Sequence, residues 1–376
     1  MKYQIVRVDS REKDWIISFG DFCFDFYGSQ TGFSHIMPKL YGPDVDTTEN
    51  HFILKDDDCY VGMAGIFPSK YRVFTDTLNY AGIGTVCVHP KYRNQGCMTY
   101  MLNEINEQLK EQGYDFAFLG GSETRYAHFD FYPCVKSNIY KWKLRKINQA
   151  YHFKPLQKQD MTDIAQCNEL YTKKQIRCER TLERFYDIAT TWENTLYSCY
   201  ENDEWIGYLI YSTKHQAITE IELSDISRIS TILSAFLSYM DQDTINVELS
   251  LYDEKNRILE KTADFVSQRT VELFQILSYK QVLEALLKGK GKEKKLLDGS
   301  MTLKVEGETP LTCTVTNAQV KVLEDANEKI DMHLTKKEAH LLFLGDYPCD
   351  KLPAKIQELC KNWFPLPLFI PSSDQV

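Results

Sequence analysis

The chain has 376 residues, of which 43% are apolar, and a formal net charge of −9. This length exceeds one ordinary core and predicts about two or three domains, whereas the acidic balance argues against a general nucleic-acid binder, because neutralising phosphates takes a basic surface. No run approaches the roughly 18 uninterrupted apolar residues of a membrane span, and the N-terminal MKYQIVRVDS lacks the apolar core of a signal peptide.

The cysteines indicate the cellular compartment. There are 11 of them, an odd number, and no two form a Cys-x-x-Cys pair. In a chain of this size they predict reduced, mostly buried thiols and a cytoplasmic protein. Because the cysteines and histidines are scattered along the sequence, we expect no metal site.

The first segment, residues 1–148, begins with the predicted strand YQIVRV. Two aromatic-rich stretches that predict helices follow, DWIISFGDFCFDFY and FSHIMPKLYG. Two apolar runs around the acidic turn Asp56–Asp58 predict a hairpin. LNYAGIGTVCV then predicts a central strand that is buried on both faces. The run Asp21–Tyr27 combines carboxylates with aromatic rings, which would suit a pocket for a cationic amine. The alternative is an amphipathic helix that packs its aromatic side chains.

A helix and a further strand follow in the same segment. Gly113 stands where the C-terminal cap of the helix is expected, and YDFAFLGG predicts the next strand. Strand, helix and strand in this order imply a crossover between neighbouring parallel strands. The apolar residues of the helix recur at helical spacing, at Met98, Met101, Leu102, Ile105 and Leu109.

The second segment, residues 149–287, loosely repeats this order of elements. Two predicted helices, DIAQCNELYTKK and RTLERFYDIATTW, precede a predicted meander of three strands, NTLYSCY, EWIGYLIYS and AITEIELS. A predicted helix, ISTILSAFLSYM, and a predicted strand, INVELSLY, follow. The place that corresponds to the loop after VCV reads ELSDISRISTILSAF and contains no glycine.

The third segment, residues 288–376, begins with Lys288–Lys295 (KGKGKEKK), which predicts a solvated linker or loop. MTLKV, LTCTV and AQVKV alternate like strands with one exposed face. Thr335–Glu338 has a capping-box pattern ahead of the helix AHLLFL, which ends at Gly345. The tail NWFPLPLFIPSSDQV is too rich in aromatic and apolar residues for a disordered end, so we expect it to dock on the body of the protein.

The loop VCVHPKYRNQGCM, residues 86–98, is the part of the sequence that indicates a binding site. Pro90 ends the strand because it has no N–H for the ladder. The first amides of the following helix have no internal partner and, with the helix dipole, form an anion site. Gly96 permits a close approach of the backbone and Arg93 adds positive charge, so a pyrophosphate would suit the loop. A plain strand–turn–helix is the alternative.

The loop resembles the acetyl-coenzyme A loop of the GNAT N-acetyltransferases, Arg/Gln-x-x-Gly-x-Gly/Ala after a strand that ends Val-x-Val-x-Pro. The sequence matches through Gly96 and has Met98 in place of the final small residue. That departure occurs in one branch, the enhanced-intracellular-survival (Eis-type) acetyltransferases, which the whole chain resembles. The resemblance implies an α/β fold (α+β mixed sheets) in three parts: a catalytic GNAT domain at 1–148, a degenerate GNAT-like domain at 149–287, and a sterol-carrier-like domain at 288–376 with a docked C-terminal tail.

The resemblance also implies how acetyl-coenzyme A would be held as co-substrate. Residues 93–99 would anchor it, mainly through backbone amides. The backbone at 86–88 would hold the thioester, because GNAT folds splay two parallel strands there and leave amides unpaired. The cofactor-binding residues expected in this way are Val86, Cys87, Val88, Arg93, Asn94, Gln95, Gly96, Cys97, Met98, Thr99, Gly121 and Ser122.

Acetyl transfer to an amine also needs an acid for the leaving thiolate and a base for the amine. The family's acid is a tyrosine followed five residues later by an aromatic residue, which matches Tyr126 and Phe131, with Tyr132 as the nearest competitor. A tyrosine of pKa about 10 can protonate a thiolate and stay protonated at neutral pH. The family's base is the chain's own terminal carboxylate, here that of Val376. A carboxyl group of pKa near about 3.5 is a weak base and would need desolvation or a water relay.

The resemblance therefore implies an acetyl-coenzyme A-dependent N-acetyltransferase. Its acceptor would be a primary amine, on an aminoglycoside-like polyamine or on the lysine side chain of a peptide, and the sequence does not choose between them. The alternative is a non-catalytic scaffold that binds acyl-coenzyme A or lipid, which would need neither Tyr126 nor a free terminus. Family members form oligomers, so a homo-oligomer is expected, with no nucleic acid, membrane span or metal.

Overall fold

Three β-sheets and the helices packed on them organise the chain. A computed structural model describes residues 3–24, 32–146, 150–324 and 329–376. Within residues 3–146 the strands are β1 (Tyr3–Arg7), β2 (His51–Asp56), β3 (Cys59–Val73), β4 (Asp76–Val88), β5 (Phe116–Leu119), β6 (Tyr132–Pro133) and β7 (Lys136–Lys143). The helices of that part are α1 (Lys13–Cys23), α2 (Phe33–Ile36), α3 (Pro38–Tyr41), α4 (Cys97–Glu111) and α5 (Glu123–Tyr126).

The middle of the chain contributes a second set of elements. Its strands are β8 (Tyr151–Pro155), β9 (Ile176–Cys178), β10 (Asn194–Glu201), β11 (Glu204–Ser212), β12 (Ala217–Leu223), β13 (Thr244–Ser250), β14 (Phe265–Thr270) and β15 (Leu273–Ile276). Its helices are α6 (Met161–Thr172), α7 (Leu182–Ala189), α8 (Ile229–Tyr239), α9 (Asn256–Thr262) and α10 (Tyr279–Glu293).

The last part of the chain is smaller. Its strands are β16 (Gly299–Val305), β17 (Leu311–Thr316), β18 (Gln319–Glu324) and β19 (Met332–Leu334), and its helices are α11 (Lys336–Leu344) and α12 (Ala354–Trp363). The predicted capping box is confirmed at the start of α11, where the Thr335 side chain accepts from the amide of Glu338 and the Glu338 side chain accepts from the amide of Thr335. No helix within the described ranges is long and apolar enough to cross a membrane.

Each sheet mixes antiparallel pairs with one parallel pair. The first has eight strands in the order β1-β2-β3-β4-β5-β15-β6, with β9 paired to β3, and its parallel pair is β4 and β5. The second has seven strands in the order β14-β7-β13-β12-β11-β10-β8, with β12 parallel to β13. The third has four, β18-β17-β16-β19, with β16 parallel to β19. The predicted class, α/β with mixed sheets, is confirmed.

The first two sheets repeat one order of elements and exchange strands. The series β2-β3-β4-α4-β5 recurs as β10-β11-β12-α8-β13, and in both the parallel pair flanks the helix. However, β7 comes from the first segment and lies in the second sheet, while β9 and β15 come from the second segment and lie in the first. The sheets therefore interlock across the segment boundary predicted at residue 148, and residues 147–149 themselves lie outside the described part of the chain.

The prediction of a solvated linker at Lys288–Lys295 is wrong for most of its length, because α10 continues through this run to Glu293. Gly289 is buried where the helix meets β3, and a Cβ atom there would lie 2.4 Å from Val73 Cγ1. Lys290 is buried too, and its Nζ donates to the carbonyl of Trp363 at 3.0 Å. The glycine and the lysine thus serve close packing, which their composition alone did not reveal.

The C-terminal tail lies on the body of the protein. Its apolar side chains enter one core with α10, the third sheet and one face of the first sheet. The hydroxyl of Tyr71 on β3 donates to the carbonyl of Pro367 at 3.3 Å and accepts from the amide of Phe369 at 3.1 Å. The buried tail residues of this core are Trp363, Phe364, Leu366, Leu368 and Ile370.

Candidate active site

The parallel strands β4 and β5 separate at one end. Their pairing ends with Ile83 opposite Leu119, whereas β4 continues to Val88. Beyond Ile83 the strand keeps antiparallel partners on β3, as far as Gly62 opposite Val88, but has none on β5 among the described residues. One edge of this stretch is therefore open.

The open edge presents backbone amides. The amide of His89 donates to the carbonyl of Val61 at 2.9 Å, on the side of β3. Because successive amides of a strand point to opposite sides, those of Val88 and Val86 face the open edge. This is the arrangement that a bound thioester or pantetheine arm requires from the strand.

A bulge marks the point where the strands separate. Thr85 has a φ of +49° and the register between β3 and β4 shifts beside it. A β-branched residue in this left-handed region is strained, and hydrogen bonding offsets that cost. The Thr85 hydroxyl and the Tyr41 hydroxyl lie 2.8 Å apart, and the Tyr41 hydroxyl lies 3.1 Å from Nε2 of His51.

The direction of this buried chain follows from its far end. His51 Nδ1 lies 3.0 Å from the carbonyl oxygen of Thr47, which can only accept, so Nδ1 carries the proton. Nε2 then accepts from Tyr41, and Tyr41 accepts from Thr85. Burial lowers the pKa of His51 to about 4, which keeps the ring neutral at neutral pH. This chain of hydrogen bonds therefore holds Thr85 in place at the cavity lining.

The loop after β4 leads into α4 as the sequence predicted. Gly96 is the N-terminal cap of α4, with a φ of +81°, and the loop from Arg93 to Gly96 is exposed. The Arg93 guanidinium donates to the carbonyls of Val88 and Cys23, both at 3.2 Å. These bonds hold its positive charge at the end of β4, in the loop that leads to α4.

A cavity of about 800 Å³ opens beside these strands, between the first sheet and the second. It brings together four of the predicted site residues, Val86, Gly121, Tyr126 and Val376. The others lie outside its lining: positions 87 and 88 are the last two residues of β4, positions 93–99 follow β4, and position 122 follows β5. The predicted site residues thus form an enclosed end, in the cavity, and an exposed end, at the loop after β4.

Tyr126 ends α5, and its ring is almost completely buried. The ring lies against Gly121, where a Cβ atom would approach Tyr126 Cε2 to 2.5 Å. Phe131 donates its amide to the carbonyl of Tyr126 at 3.3 Å. Burial raises the pKa of the Tyr126 hydroxyl above its ordinary value, with a smaller opposing effect of Arg125, so the hydroxyl is protonated at neutral pH.

Tyr132, the nearest competitor for the role of acid, lies elsewhere. The Tyr132 hydroxyl donates to Asp130 at 3.3 Å, and its ring packs against His340, outside the cavity lining. Burial and the carboxylate of Asp130 raise the pKa of Tyr132 to about 12.

The last residue of the chain lies against the middle of β4. A Cβ atom on Gly82 would lie 2.6 Å from Val376 Cγ2, and one on Gly84 would lie 3.3 Å from its Cβ. Two glycines on one face of a central strand therefore make the space that the terminal valine fills. Tyr41 and Phe67 belong to the buried cluster that packs against Val376.

The run Asp21–Tyr27, proposed as part of an acceptor pocket, is described only in part. Phe24 lines the cavity, whereas the Asp21 carboxylate accepts from the amide of Phe33 at 2.8 Å. Asp25, Phe26 and Tyr27 lie outside the described residues.

The second sheet supplies polar cavity residues that the sequence interpretation missed. Arg269 forms a two-point ion pair with Glu248, at 2.9 and 2.5 Å, and Glu248 also accepts from Ser137 at 2.7 Å. Glu272 faces Gly120, with Oε2 3.0 Å from the position of a Cβ there, and burial raises the pKa of its carboxyl. The sequence pattern that could have indicated these residues is a charged residue inside an apolar strand, such as Glu248 in INVELSLY.

Residues 9–133 match the family model of an acetyltransferase (GNAT) domain. The match includes the open edge of β4, the loop to α4 and Tyr126. The chain carries a GNAT acetyltransferase domain. Domains of this family take acetyl-coenzyme A as co-substrate, and the GNAT domain therefore supports acyl transfer from an acyl-coenzyme A.

Solved structures of GNAT proteins are similar to nearly the whole chain. A GCN5-related N-acetyltransferase from Anabaena variabilis has a TM-score of 0.72 at 14% identity, over 96% of this chain and 97% of that chain. One from Kribbella flavida has a TM-score of 0.71 at 15% identity, over 98% of each chain. Eis1 from Mycobacterium abscessus has a TM-score of 0.65 at 12% identity, over 98% of each.

At these identities the similarity extends to the fold alone. It includes Eis1, but it does not separate the Eis-type branch from other GNAT proteins. No curated protein sequence matches the chain.

Proposed function

We propose that the protein is an Eis-type N-acetyltransferase that moves the acetyl group of acetyl-coenzyme A to a primary amine. The observation that carries this proposal is that Tyr126 and the terminal residue Val376 line one cavity, at the point where β4 separates from β5. An acid, a base and open backbone amides are the groups that the transfer needs.

The exposed end of the site suits the phosphates of the cofactor. The amides at the start of α4 and the guanidinium of Arg93 would bind the pyrophosphate. The amides of Val86 and Val88 would hold the pantetheine arm and donate to the thioester oxygen as charge develops on it. Gly121 and Ser122, beyond β5, would lie on the other side of the arm.

Tyr126 would act as the general acid. Its hydroxyl stays protonated at neutral pH because burial raises its pKa, and it can pass its proton to the leaving thiolate. The carboxylate of Val376 would act as the general base, taking the proton from the attacking amine directly or through a water molecule. An apolar environment makes a carboxylate more basic, and the side chain of Val376 packs in such surroundings.

The polar wall of the cavity suits a cationic acceptor. The half-buried Glu272 and the Glu248–Arg269 pair line the same cavity as the end of β4. A carboxylate in a partly dry site attracts an ammonium group. An aminoglycoside-like polyamine and a lysine side chain both carry that group.

We also propose the three-part architecture that the resemblance implies. The repeated order β2-β3-β4-α4-β5 and β10-β11-β12-α8-β13 supports a catalytic and a degenerate GNAT-like unit in tandem. The loop between β12 and α8 contains no glycine, which supports loss of cofactor binding in the second unit. The third sheet with α11 and α12, within residues 288–376, would be the sterol-carrier-like unit, and free cysteines favour the cytoplasm.

A panel of amines tests the proposal. The protein is mixed with acetyl-coenzyme A and a lysine-containing peptide, an aminoglycoside or a polyamine, and release of free coenzyme A thiol is followed. The same compounds with blocked amines are the controls. We expect thiol release with free primary amines only, and a product heavier by one acetyl group. Tight binding of acetyl-coenzyme A without transfer to any amine would favour the non-catalytic scaffold instead.

A further inference from the structure

The last residues before the chain terminus meet two buried basic side chains. Lys39 lies on α3 and is buried, and its Nζ donates to the carbonyl of Ser373 at 2.7 Å and to that of Gln375 at 2.6 Å. Arg180 follows β9, and its Nη2 donates to the Asp374 carboxylate at 2.6 Å and to the Ser373 hydroxyl at 3.1 Å. Each of the three residues that precede Val376 is thus bound.

The second sheet holds Arg180 in turn. Glu220 on β12 receives both Nη atoms of Arg180, at 2.9 and 2.8 Å, and also accepts from the Tyr208 hydroxyl at 2.7 Å. The Arg180 guanidinium lies 4.0 Å from the centre of the Tyr171 ring. The side chains of Arg180, Glu220 and Asp374 are 0, 3 and 5% exposed, so water competes little for these bonds.

This geometry fixes the chain just before Val376. Lys39, beside the first sheet, holds the carbonyls of residues 373 and 375, and Arg180, tied to the second sheet, holds the side chains of residues 373 and 374. One residue further, the Val376 side chain fills the space over Gly82 and Gly84. A tail that only needed docking would be secured by its apolar residues further upstream, which already lie in the core.

We propose that Lys39 and Arg180 are positioning residues that hold the terminal carboxylate of Val376 at the reacting atoms. This inference rests on the proposed function, in which that carboxylate is the base. It assigns the second sheet a part in the reaction, because Glu220 orients the guanidinium that holds Asp374. Lys39 and Arg180 themselves do not touch the substrate.

Two variants test the inference. Asp374→Asn removes the charged partner of Arg180 and leaves the Arg180–Glu220 pair intact, and Lys39→Met removes the donor to the two carbonyls. Glu179→Gln is the matched control, since Glu179 adjoins Arg180 but pairs with Arg72 at 2.7 Å, away from the tail. Two quantities are measured: release of the terminal valine by a carboxypeptidase without any ligand, and kcat and KM of acetyl transfer.

We expect both variants to release valine at least tenfold faster than the wild type and to lose about tenfold in kcat, with KM for acetyl-coenzyme A unchanged. Asp374→Glu, which keeps the charge, should recover part of both. Valine release at the wild-type rate, or faster release with unchanged kcat, would overturn the inference. Failure of the proposed function has a different signature: the wild type would then acetylate no amine, while the release assay would still report on the tail.

Discussion

Tyr126 is the side chain whose assignment can be tested most simply. Its hydroxyl is the acid in the proposed reaction, and its ring packs on Gly121. We expect Tyr126→Phe to keep the packing and the affinity for acetyl-coenzyme A, and to lower turnover about 10²-fold or more, as loss of a general acid does. Tyr132→Phe is the matched control, because Tyr132 binds Asp130 outside the cavity. Equal turnover in both variants would remove Tyr126 from the mechanism.

The titration of Lys39 predicts how the free energy of unfolding changes with pH. Burial lowers the pKa of Lys39 to about 7 from 10.5, against the attraction of Asp374, while Arg180 and Arg184 repel its charge and Cys178 faces it as well. Between these values the unfolded chain binds a proton that the folded chain does not. The free energy of unfolding therefore rises with pH, by about 1.4 kcal/mol per unit for this group.

Lys39→Met should remove that contribution. Urea unfolding of the wild type and the variant, measured between about pH 7.5 and 9, should give a difference that grows with pH at roughly the stated slope. Parallel curves would mean that the Lys39 ammonium keeps its ordinary pKa in the folded chain.

Among the residues of the candidate site, the sequence predicted those that belong to a recognisable local motif. The loop through Gly96 follows a recognisable motif, and Tyr126 was found only through family resemblance, among 23 tyrosines. Glu272 and Arg180 were missed. Their roles depend on partners from distant parts of the chain, such as Asp374 for Arg180, and no local spacing encodes such contacts.

Helix α4 allows a controlled test of cofactor anchoring at the scale of elements. Gly96 precedes the helix and Gly113 follows it, with φ values of +81° and +71°, and a Cβ atom at either would meet nothing within 4 Å. Valine at either position should cost about 1–2 kcal/mol of stability, because it must adopt a left-handed conformation. Only Gly96→Val should also weaken binding of acetyl-coenzyme A, by about tenfold, since only that end adjoins β4. Equal affinities in calorimetry would contradict the anchoring role.

The elements themselves were predictable where hydrophobic periodicity decides them. The helix after VCV, the hairpin of β2 and β3 and the strands β10, β11, β12 and β13 all occur near the predicted places. The run Lys288–Lys295 misled because its lysines and glycines are typical of linkers, whereas here Gly289 lets α10 pack against Val73. Strands β7, β9 and β15 were not recognised, since each pairs with strands that are far away in the sequence.

The exchange of strands between the first two sheets makes a prediction for the whole molecule. Neither sheet is complete without strands from the other segment, β7 in one direction and β9 and β15 in the other. We therefore expect the two sheets to unfold in one cooperative transition, with far-ultraviolet circular dichroism and tryptophan fluorescence changing together. Two separated transitions that involve Trp142 on β7 and the first sheet independently would contradict this coupling.

The overall arrangement explains why the chain terminus was the hardest part to predict. The tail crosses the core shared by the third and first sheets before Val376 reaches β4, which lies almost 300 positions earlier in the sequence. Aromatic content predicted that the tail docks, but its destination came only from family resemblance. The glycines at 82 and 84 that receive it look like ordinary residues of a buried strand.

The central claim is that the terminal carboxylate of Val376 takes part in acetyl transfer. It is tested most directly by replacing that carboxylate with a carboxamide, through ligation of a synthetic C-terminal peptide, with the same ligation ending in the free acid as the control. We predict that the amide binds acetyl-coenzyme A as tightly as the acid and turns over about 10²-fold more slowly or worse. Equal turnover of the amide and the acid would contradict the claim.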